Sequence, residues 1–305
     1  MNESLAVIIV NYNSALECLN LIDEILKKTR ISNKQIFLIN NGSTDDSNDL
    51  FINNISSEIN YVNNRQNSGF SGGVNIALKK ITKKNFKYTL LLNSDIKFYD
   101  DFVEPLIHVL ENDLKIGVVG PVIKNNSNNL FEIGGKINMY TGKVIMKTTQ
   151  NLNKNFNTSV DWIVGAVMMF KNELIQEIGY FPEEYFLNYE ETEWQFLVRK
   201  LGWKVCIVPN IVVEHDVHKS IDKIDNLQLY FMLRNKLIFE SRNGNLLQKI
   251  FFFGTNHLRI WKLKMKLKES GSVVNLAVKD SKTGENSFLD GRLRKLNQIK
   301  VNSLK

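Results

Sequence analysis

The feature that most constrains this chain is a repeated unit: a short apolar run that stops at a polar tip and is followed by a longer segment with helical spacing. Leu5 to Val10 is such a run and ends in Asn11-Tyr12-Asn13; Ile36 to Ile39 ends in Asn40-Asn41-Gly42-Ser43-Thr44-Asp45-Asp46; Tyr88 to Leu92 ends in Asn93-Ser94-Asp95. Continuous apolar runs of this length suit strands buried on both faces, and their alternation with helices implies βα units around a mostly parallel central sheet, an α/β fold. Ligands of open sheets of this kind sit beyond the carboxyl ends of the strands. The polar tips are therefore the first candidates for a site.

Further strands are expected near Ile59 to Val62, at Ile116 to Gly120, at Val205 to Val208 and at Ile211 to Val213, the last finishing at Glu214-His215. Helices are expected over Ser14 to Lys28, from the glycine-rich segment Asn67 to Asn75 through Lys80, over Asp101 to Glu111, and from Glu190-Glu191-Thr192-Glu193 through Leu201. Trp162 to Phe170 is apolar around Gly165, while 124–129 and 151–158 read as surface loops. Beyond Ser220 the alternation gives way to long helical patterns. The expected division is a catalytic domain over 1–220 and a helical, basic C-terminal extension over 221–305.

Charge separates the same two parts. The whole chain carries +7, but the stretch from Arg242 to Lys305 holds fourteen Lys/Arg against four Asp/Glu, so the remainder is slightly acidic. Such asymmetry points to an anionic surface met by one end, a membrane leaflet ahead of a nucleic acid. Leu247, Ile250, Phe251, Gly254, Leu258, Trp261 and Met265 fall at helical spacing among lysines, as in a helix lying on a membrane, although the strict alternation from Trp261 to Lys268 has the period of a strand. Two cysteines, Cys18 and Cys206, give neither a zinc spacing nor a disulfide framework, and no apolar stretch approaches the roughly 20 residues of a spanning helix. With no secretory signal pattern at Met1, a cytoplasmic protein is expected, peripheral at the inner face of the membrane.

In order, Val10-Asn-Tyr-Asn13, Asn40-Asn-Gly-Ser-Thr-Asp45, Asn67-Ser-Gly-Phe-Ser-Gly-Gly-Val-Asn75, Leu91-Leu-Asn-Ser-Asp95, Asp161-Trp-Ile-Val-Gly-Ala166, Tyr189-Glu-Glu-Thr-Glu193 and Glu214-His215 resemble the family 2 glycosyltransferases of GT-A fold, notably the rhamnosyltransferase-like members that build bacterial surface polysaccharides. The resemblance runs from about Leu5 to Ser220. The glycine-rich segment is too late in the chain for a dinucleotide fingerprint, which follows the first strand.

The resemblance implies a metal-dependent inverting transferase. It places a nucleotide-diphosphate sugar, a dTDP- or UDP-sugar with rhamnose first, against Val10, Tyr12, Asn40, Asn41, Gly69, Gly73, Asn75, Asn93 and Ser94. Asp95 and His215 would hold a divalent cation, Mg²⁺ or Mn²⁺, with His218 as the alternative to His215. Glu191 would be the catalytic base, with Glu190 the alternative, and Trp162, Gly165 and Glu193 would meet the acceptor or the transferred sugar, a glycan or lipid-linked glycan supplying the hydroxyl. A homo-oligomer stays open. The family usually carries aspartate where Asn40, Asn93 and Glu191 stand, which also admits a donor-binding but inactive partner of another transferase, and a nucleic-acid binder acting through the tail is the other rival.

Overall fold

The computed structural model describes residues 4–126, 129–152, 157–215, 225–266 and 271–286. In chain order its elements are β1 (Leu5–Asn11), α1 (Ala15–Lys28), β2 (Ile36–Asn41), α2 (Ser47–Asn54), β3 (Asn60–Asn64), α3 (Gly69–Ile81), β4 (Tyr88–Leu92), β5 (Ile96–Lys97), α4 (Val103–Asn112), β6 (Ile116–Asn125), β7 (Leu130–Asn138) and β8 (Lys143–Thr149). There follow β9 (Thr158–Val160), β10 (Val167–Lys171), α5 (Glu173–Ile178), α6 (Glu190–Lys200), β11 (Lys204–His215), α7 (Asp225–Asn243), α8 (Leu246–Lys266) and α9 (Gly271–Thr283).

Apolar character on both sides of the first strands is what makes the sheet central. Along β1, Leu5, Val7 and Ile9 enter one core while Ala6 and Ile8 enter the other; β2 divides likewise between Ile36 and Leu38, and Phe37 and Ile39. The first core is closed by α1, α2 and α4 through residues such as Leu21, Phe51 and Leu106, the second by α3, α5 and α6 through Leu78, Leu174 and Trp194. The α3, α5 and α6 side is pinned by aromatic packing, with Phe181 and Trp194 stacked at 4.8 Å and Phe170 tilted against both.

The strand order β3-β2-β1-β4-β10-β6-β11-β5 is parallel from β3 to β4. β10 then enters antiparallel between β4 and β6, β11 lies parallel to β6, and the short β5 and β9 run antiparallel to β11. The sheet is thus mixed but mostly parallel along this order, as the sequence suggests, with β10 and the short β5 and β9 antiparallel. The two strands expected at Val205 to Val208 and Ile211 to Val213 are one, with a register shift against β6 between Val208 and Val212, where Pro209 supplies no N–H to a ladder.

The chain divides into two compact units. The first takes in 1–136, 145–186 and 190–217, and the second takes in 137–144, 187–189 and 218–305. In the second unit, Tyr230 of α7 donates to the buried Asp280 of α9, and the amide of Asn235 donates at 2.8 Å to the carbonyl oxygens of Leu187 and Asn188. Helix α8 continues to Lys266, so helical propensity prevails over the strand-like alternation of that segment.

Candidate active site

Three parallel strands end in asparagines that stand side by side. The register aligns Asn11 of β1 with Asn40 of β2 and Asn40 with Asn63 of β3, and their amides form a relay: Asn11 Nδ2 donates to Asn40 Oδ1 at 3.0 Å, and Asn40 Nδ2 donates to Asn63 Oδ1 at 2.9 Å. Asn40 is 2 % exposed and its oxygen also accepts from Ser43 Oγ at 2.6 Å. An aspartate there would bury a charge and offer no donor to Asn63, so the amide fits a neutral interior. Asn11, which sequence reasoning left without a role, is the hub: its oxygen accepts from the N–H and hydroxyl of Ser14, whose Oγ lies 3.4 Å from Ser94 Oγ.

On the opposite face of the sheet, Asn41 fastens the glycine-rich segment. Its Nδ2 donates to the Gly69 carbonyl at 2.8 Å and its Oδ1 accepts from Ser68 Oγ at 2.8 Å. A Cβ at Gly73 would come 2.7 Å from Val10 Cγ1 and 3.2 Å from Asn41 Nδ2, so only glycine lets α3 lie this close to the ends of β1 and β2. Tyr12, just past β1, is 45 % exposed. Asn75 is buried: its Nδ2 donates to the Phe181 carbonyl and to Glu183, and its Oδ1 accepts from Phe181 N–H at 3.0 Å. Its amide ties α3 to the segment before α6.

Asp95 and His215 come together because two residues of β5 pair with the end of β11, Ile96 opposite His215. Asp95 Oδ1 stands 3.2 Å from His215 Nε2, with both side chains mostly shielded from water. Glu214 turns away to Lys124 at 3.0 Å and to Tyr99. Carboxylate with imidazole is a donor pair suited to Mn²⁺ or another divalent ion. Among the described residues no group of three or more His, Cys, Asp or Glu forms a metal cluster. His218 lies outside the described residues.

Glu191 occupies the first turn of α6. Burial pushes its carboxyl up to about 7, against the pull of the backbone N–H groups of Glu191 and Thr192. Glu190 and Glu193 on the same turn are buried, at 3 % and 5 % exposure. The helix meets the 162–166 segment through Gln195, a residue sequence reasoning missed although it stands one turn beyond Glu191. Gln195 Oε1 accepts from Ile163 N–H at 2.8 Å and its Nε2 donates to the Ile163 and Glu191 carbonyls. A Cβ at Gly165 would lie 3.5 Å from Glu191 Cγ and 3.6 Å from Phe70. Trp162 is 8 % exposed, and among the described residues its Nε1–H has no hydrogen-bond partner.

The two halves of the site are joined through the sheet. β4 and β10 pair antiparallel up to Leu92 and Val167, and the next bond runs from Asn93 N–H to the Ala166 carbonyl at 2.9 Å. Two residues beyond Asn93 is Asp95; one residue before Ala166 is Gly165, against Glu191.

The backbone before α6 is conformationally unusual. Phe186, Asn188 and Tyr189 have φ of 65°, 65° and 77°, a region that side chains disfavour. Gly69, itself at φ 76°, has no room for a Cβ beside the Phe186 carbonyl, which accepts from Phe70 N–H at 2.9 Å. Nothing in the local pattern of aromatic residues announces this.

Comparison with known proteins agrees with the geometry. The model of a family described as glycosyl transferase family 2 matches residues 6–179. Among curated relatives, the chain is 25 % identical over 252 residues to the low-salt glycan biosynthesis hexosyltransferase Agl10 of Haloferax volcanii, covering 78 % of this chain and 76 % of that protein. It is 22 % identical over 253 residues to the dTDP-rhamnosyl transferase RfbF of Shigella flexneri, covering 80 % and 82 %. Among solved structures, GalNAc-T7 with UDP, GalNAc and Mn²⁺ superposes with a TM-score of 0.65 at 16 % identity, covering 88 % of this chain and 54 % of that one, so this chain spans about half its length. The mannosyltransferase PcManGT of Pyrobaculum calidifontis in complex with GDP-Man and Mn²⁺ gives 0.58 at 14 % identity, covering 98 % and 80 %, and S. aureus TarS 1-349 in complex with UDP-GlcNAc gives 0.58 at 14 %, covering 94 % and 83 %. These structures share the fold, which is GT-A.

Proposed function

This chain belongs to glycosyl transferase family 2, and from that premise we propose that it is an inverting hexosyltransferase that moves a sugar, rhamnose first, from a dTDP- or UDP-sugar to a hydroxyl of a growing surface polysaccharide or lipid-linked glycan. The observation that carries the reading is Glu191: a carboxyl with its affinity for protons raised to about 7, seated on a helix N-terminus, facing a glycine and linked through Asn93 and Ala166 to the Asp95–His215 pair.

In this reading Glu191 is the general base. It accepts the proton of the acceptor hydroxyl as that oxygen attacks the anomeric carbon and the bond from that carbon to the diphosphate breaks. A carboxyl that titrates near neutral pH suits this role, being ionised in a useful fraction and basic enough to take the proton. Gly165 leaves space in front of Glu191 for the reacting sugar, and Gln195 fixes the 162–166 segment against α6, which serves the positioning on which such reactions depend. Val10, Asn41 and Gly73 shape the place of the nucleoside, with Gly69 closing that segment, Tyr12 open beside them, and Asn93 and Ser94 reaching the ribose or sugar. Asp95 and His215 would hold a divalent cation, which supplies charge stabilisation to the departing diphosphate.

Helix length and positive charge suit the helical unit to a supporting role, contact with the inner face of a membrane where a lipid-linked acceptor would be met. Among the described residues no helix is long and apolar enough to cross a membrane. Transfer assays with a panel of nucleotide sugars, with Mn²⁺, Mg²⁺ or chelator, test the whole reading. Turnover of one donor that stops on chelation and in Glu191→Ala supports it. Binding of donors without any turnover would instead make the chain an inactive partner.

A further inference from the structure

Helix α8 has 21 residues and no Asp or Glu among them, but it carries Lys249, Arg259, Lys262, Lys264 and Lys266. At about 3.6 residues per turn, Leu247, Ile250, Phe251, Leu258, Trp261 and Met265 fall on one stripe. Every one of them is exposed, Leu247 by 69 %, Ile250 by 62 % and Leu258 by 64 %, while Phe252 and Asn256 on the opposite side are buried. Contiguous apolar surface of this kind is rarely left to water and marks a site of interaction.

Alongside the stripe a cavity of about 590 Å³ opens between α7, α8 and α9. Trp261 belongs to both. Phe253 and Ile260 line the cavity's apolar part, and His257, Lys264 and Lys282 its polar part, with Ser241 and Asn256 adding a hydroxyl and an amide. Among the described residues no carboxylate lines it, and neither Lys264 nor Lys282 has an ion-pair partner. Two lysines, neutral hydrogen-bond donors and no acid form a receptor for a phosphate monoanion or diester.

We propose that this cavity receives the phosphate headgroup of an anionic phospholipid while the α8 stripe enters the acyl region of the same leaflet. The inference rests on the membrane contact proposed for the helical unit and adds the residues, the headgroup chemistry and the helix face that carry it. Charge complementarity favours a bilayer, because the lysines flank the stripe and an anionic leaflet attracts them just where the apolar residues gain from insertion. A nucleic acid would satisfy the lysines and leave Ile250, Leu258 and Met265 in water.

Co-sedimentation of the full chain with vesicles of phosphatidylcholine alone, and of phosphatidylcholine with phosphatidylglycerol, tests this. Wild-type protein should pellet with the anionic vesicles only. Lys264→Gln with Lys282→Gln should bind them about thirtyfold more weakly, about fivefold for each lysine neutralised, and Lys264→Arg with Lys282→Arg should keep most of the binding. Ile250→Ser with Leu258→Ser should abolish pelleting while sugar transfer to a soluble acceptor stays at the wild-type rate, which certifies the fold. Undiminished binding by the double glutamine variant overturns the headgroup site and leaves membrane contact standing. Failure of the wild type to pellet with any vesicle, or retention of a single-stranded RNA in preference to anionic vesicles, overturns both.

Discussion

Asp95 Oδ1 and His215 Nε2 stand 3.2 Å apart although they are 120 residues distant in the chain, and the link that places them is the two-residue strand β5 on the end of β11. With the proposed cation between them, the pair should be sensitive to loss of charge more than to loss of shape. Asp95→Asn preserves size, so the melting temperature should move by only a few degrees. Transfer should fall by at least about a hundredfold, the upper end of what outer-sphere changes at metal sites cost, and raising Mn²⁺ should recover part of it. Titration of turnover against Mn²⁺ checks this; an unchanged curve would remove Asp95 from the cation.

Gly165 separates binding from stability. A Cβ there meets Glu191 Cγ at 3.5 Å and Phe70 at 3.6 Å, ordinary van der Waals contact without overlap. Gly165→Ala should therefore leave stability within about 0.5 kcal/mol of wild type, yet it occupies the space in front of Glu191, so, with Glu191 as the proposed base, the acceptor or sugar must shift. A displacement of about 1 Å can cost on the order of a hundredfold in rate. Denaturant melts beside steady-state kinetics read the two quantities separately, and a variant as active as wild type would place the reacting sugar elsewhere.

Gly69 and Gly202 share a positive φ, 76° and 92°, but not their surroundings. Around Gly202 a Cβ meets nothing, so Gly202→Ala should cost only the conformational preference, about 1 kcal/mol. At Gly69 the same Cβ runs into the Phe186 carbonyl and backbone, and the loss should exceed about 2 kcal/mol. Because that carbonyl holds Phe70, which packs toward Gly165, Gly69→Ala should also lower transfer, while Gly202→Ala should not. Equal melting temperatures for the two variants would contradict this difference in packing.

The parallel half of the sheet and the residues at its strand ends were legible because the apolar runs Leu5 to Val10, Ile36 to Ile39 and Tyr88 to Leu92 are long and stop sharply. Direction was not legible: nothing in Val167-Met-Met-Phe-Lys171 says that the strand runs antiparallel, since that depends on which neighbours it meets. β5 is too short to carry a period, yet it aligns the Asp95–His215 pair. The roles of Asn75 and Asn40 also escape a local reading, because both are set by partners far along the chain, Phe181 in one case and Asn63 in the other. Val205 to Val213 reads locally as two strands for a sound reason, Pro209, that a register shift accommodates.

Glu191 gives the site a pH dependence with a defined sign. Its carboxyl is raised from 4.5 to about 7 by burial. If the ionised form is the base, transfer should climb with pH through about 7 and level off above it, and the limb should be absent from any residual activity of Glu191→Gln. Stability runs the other way. Between 4.5 and 7 the folded protein binds a proton that the unfolded chain has lost, so the contribution of this group is complete below 4.5 and declines as pH rises through 7. Glu191→Gln cannot ionise, so it should match the wild type near pH 4.5 and exceed it at pH 8, by on the order of 1–3 kcal/mol. Chemical denaturation of both proteins across that range decides the matter: parallel stability curves would show that Glu191 ionises as freely folded as unfolded, and would take from it the shielding that suits it to accept a proton from the acceptor.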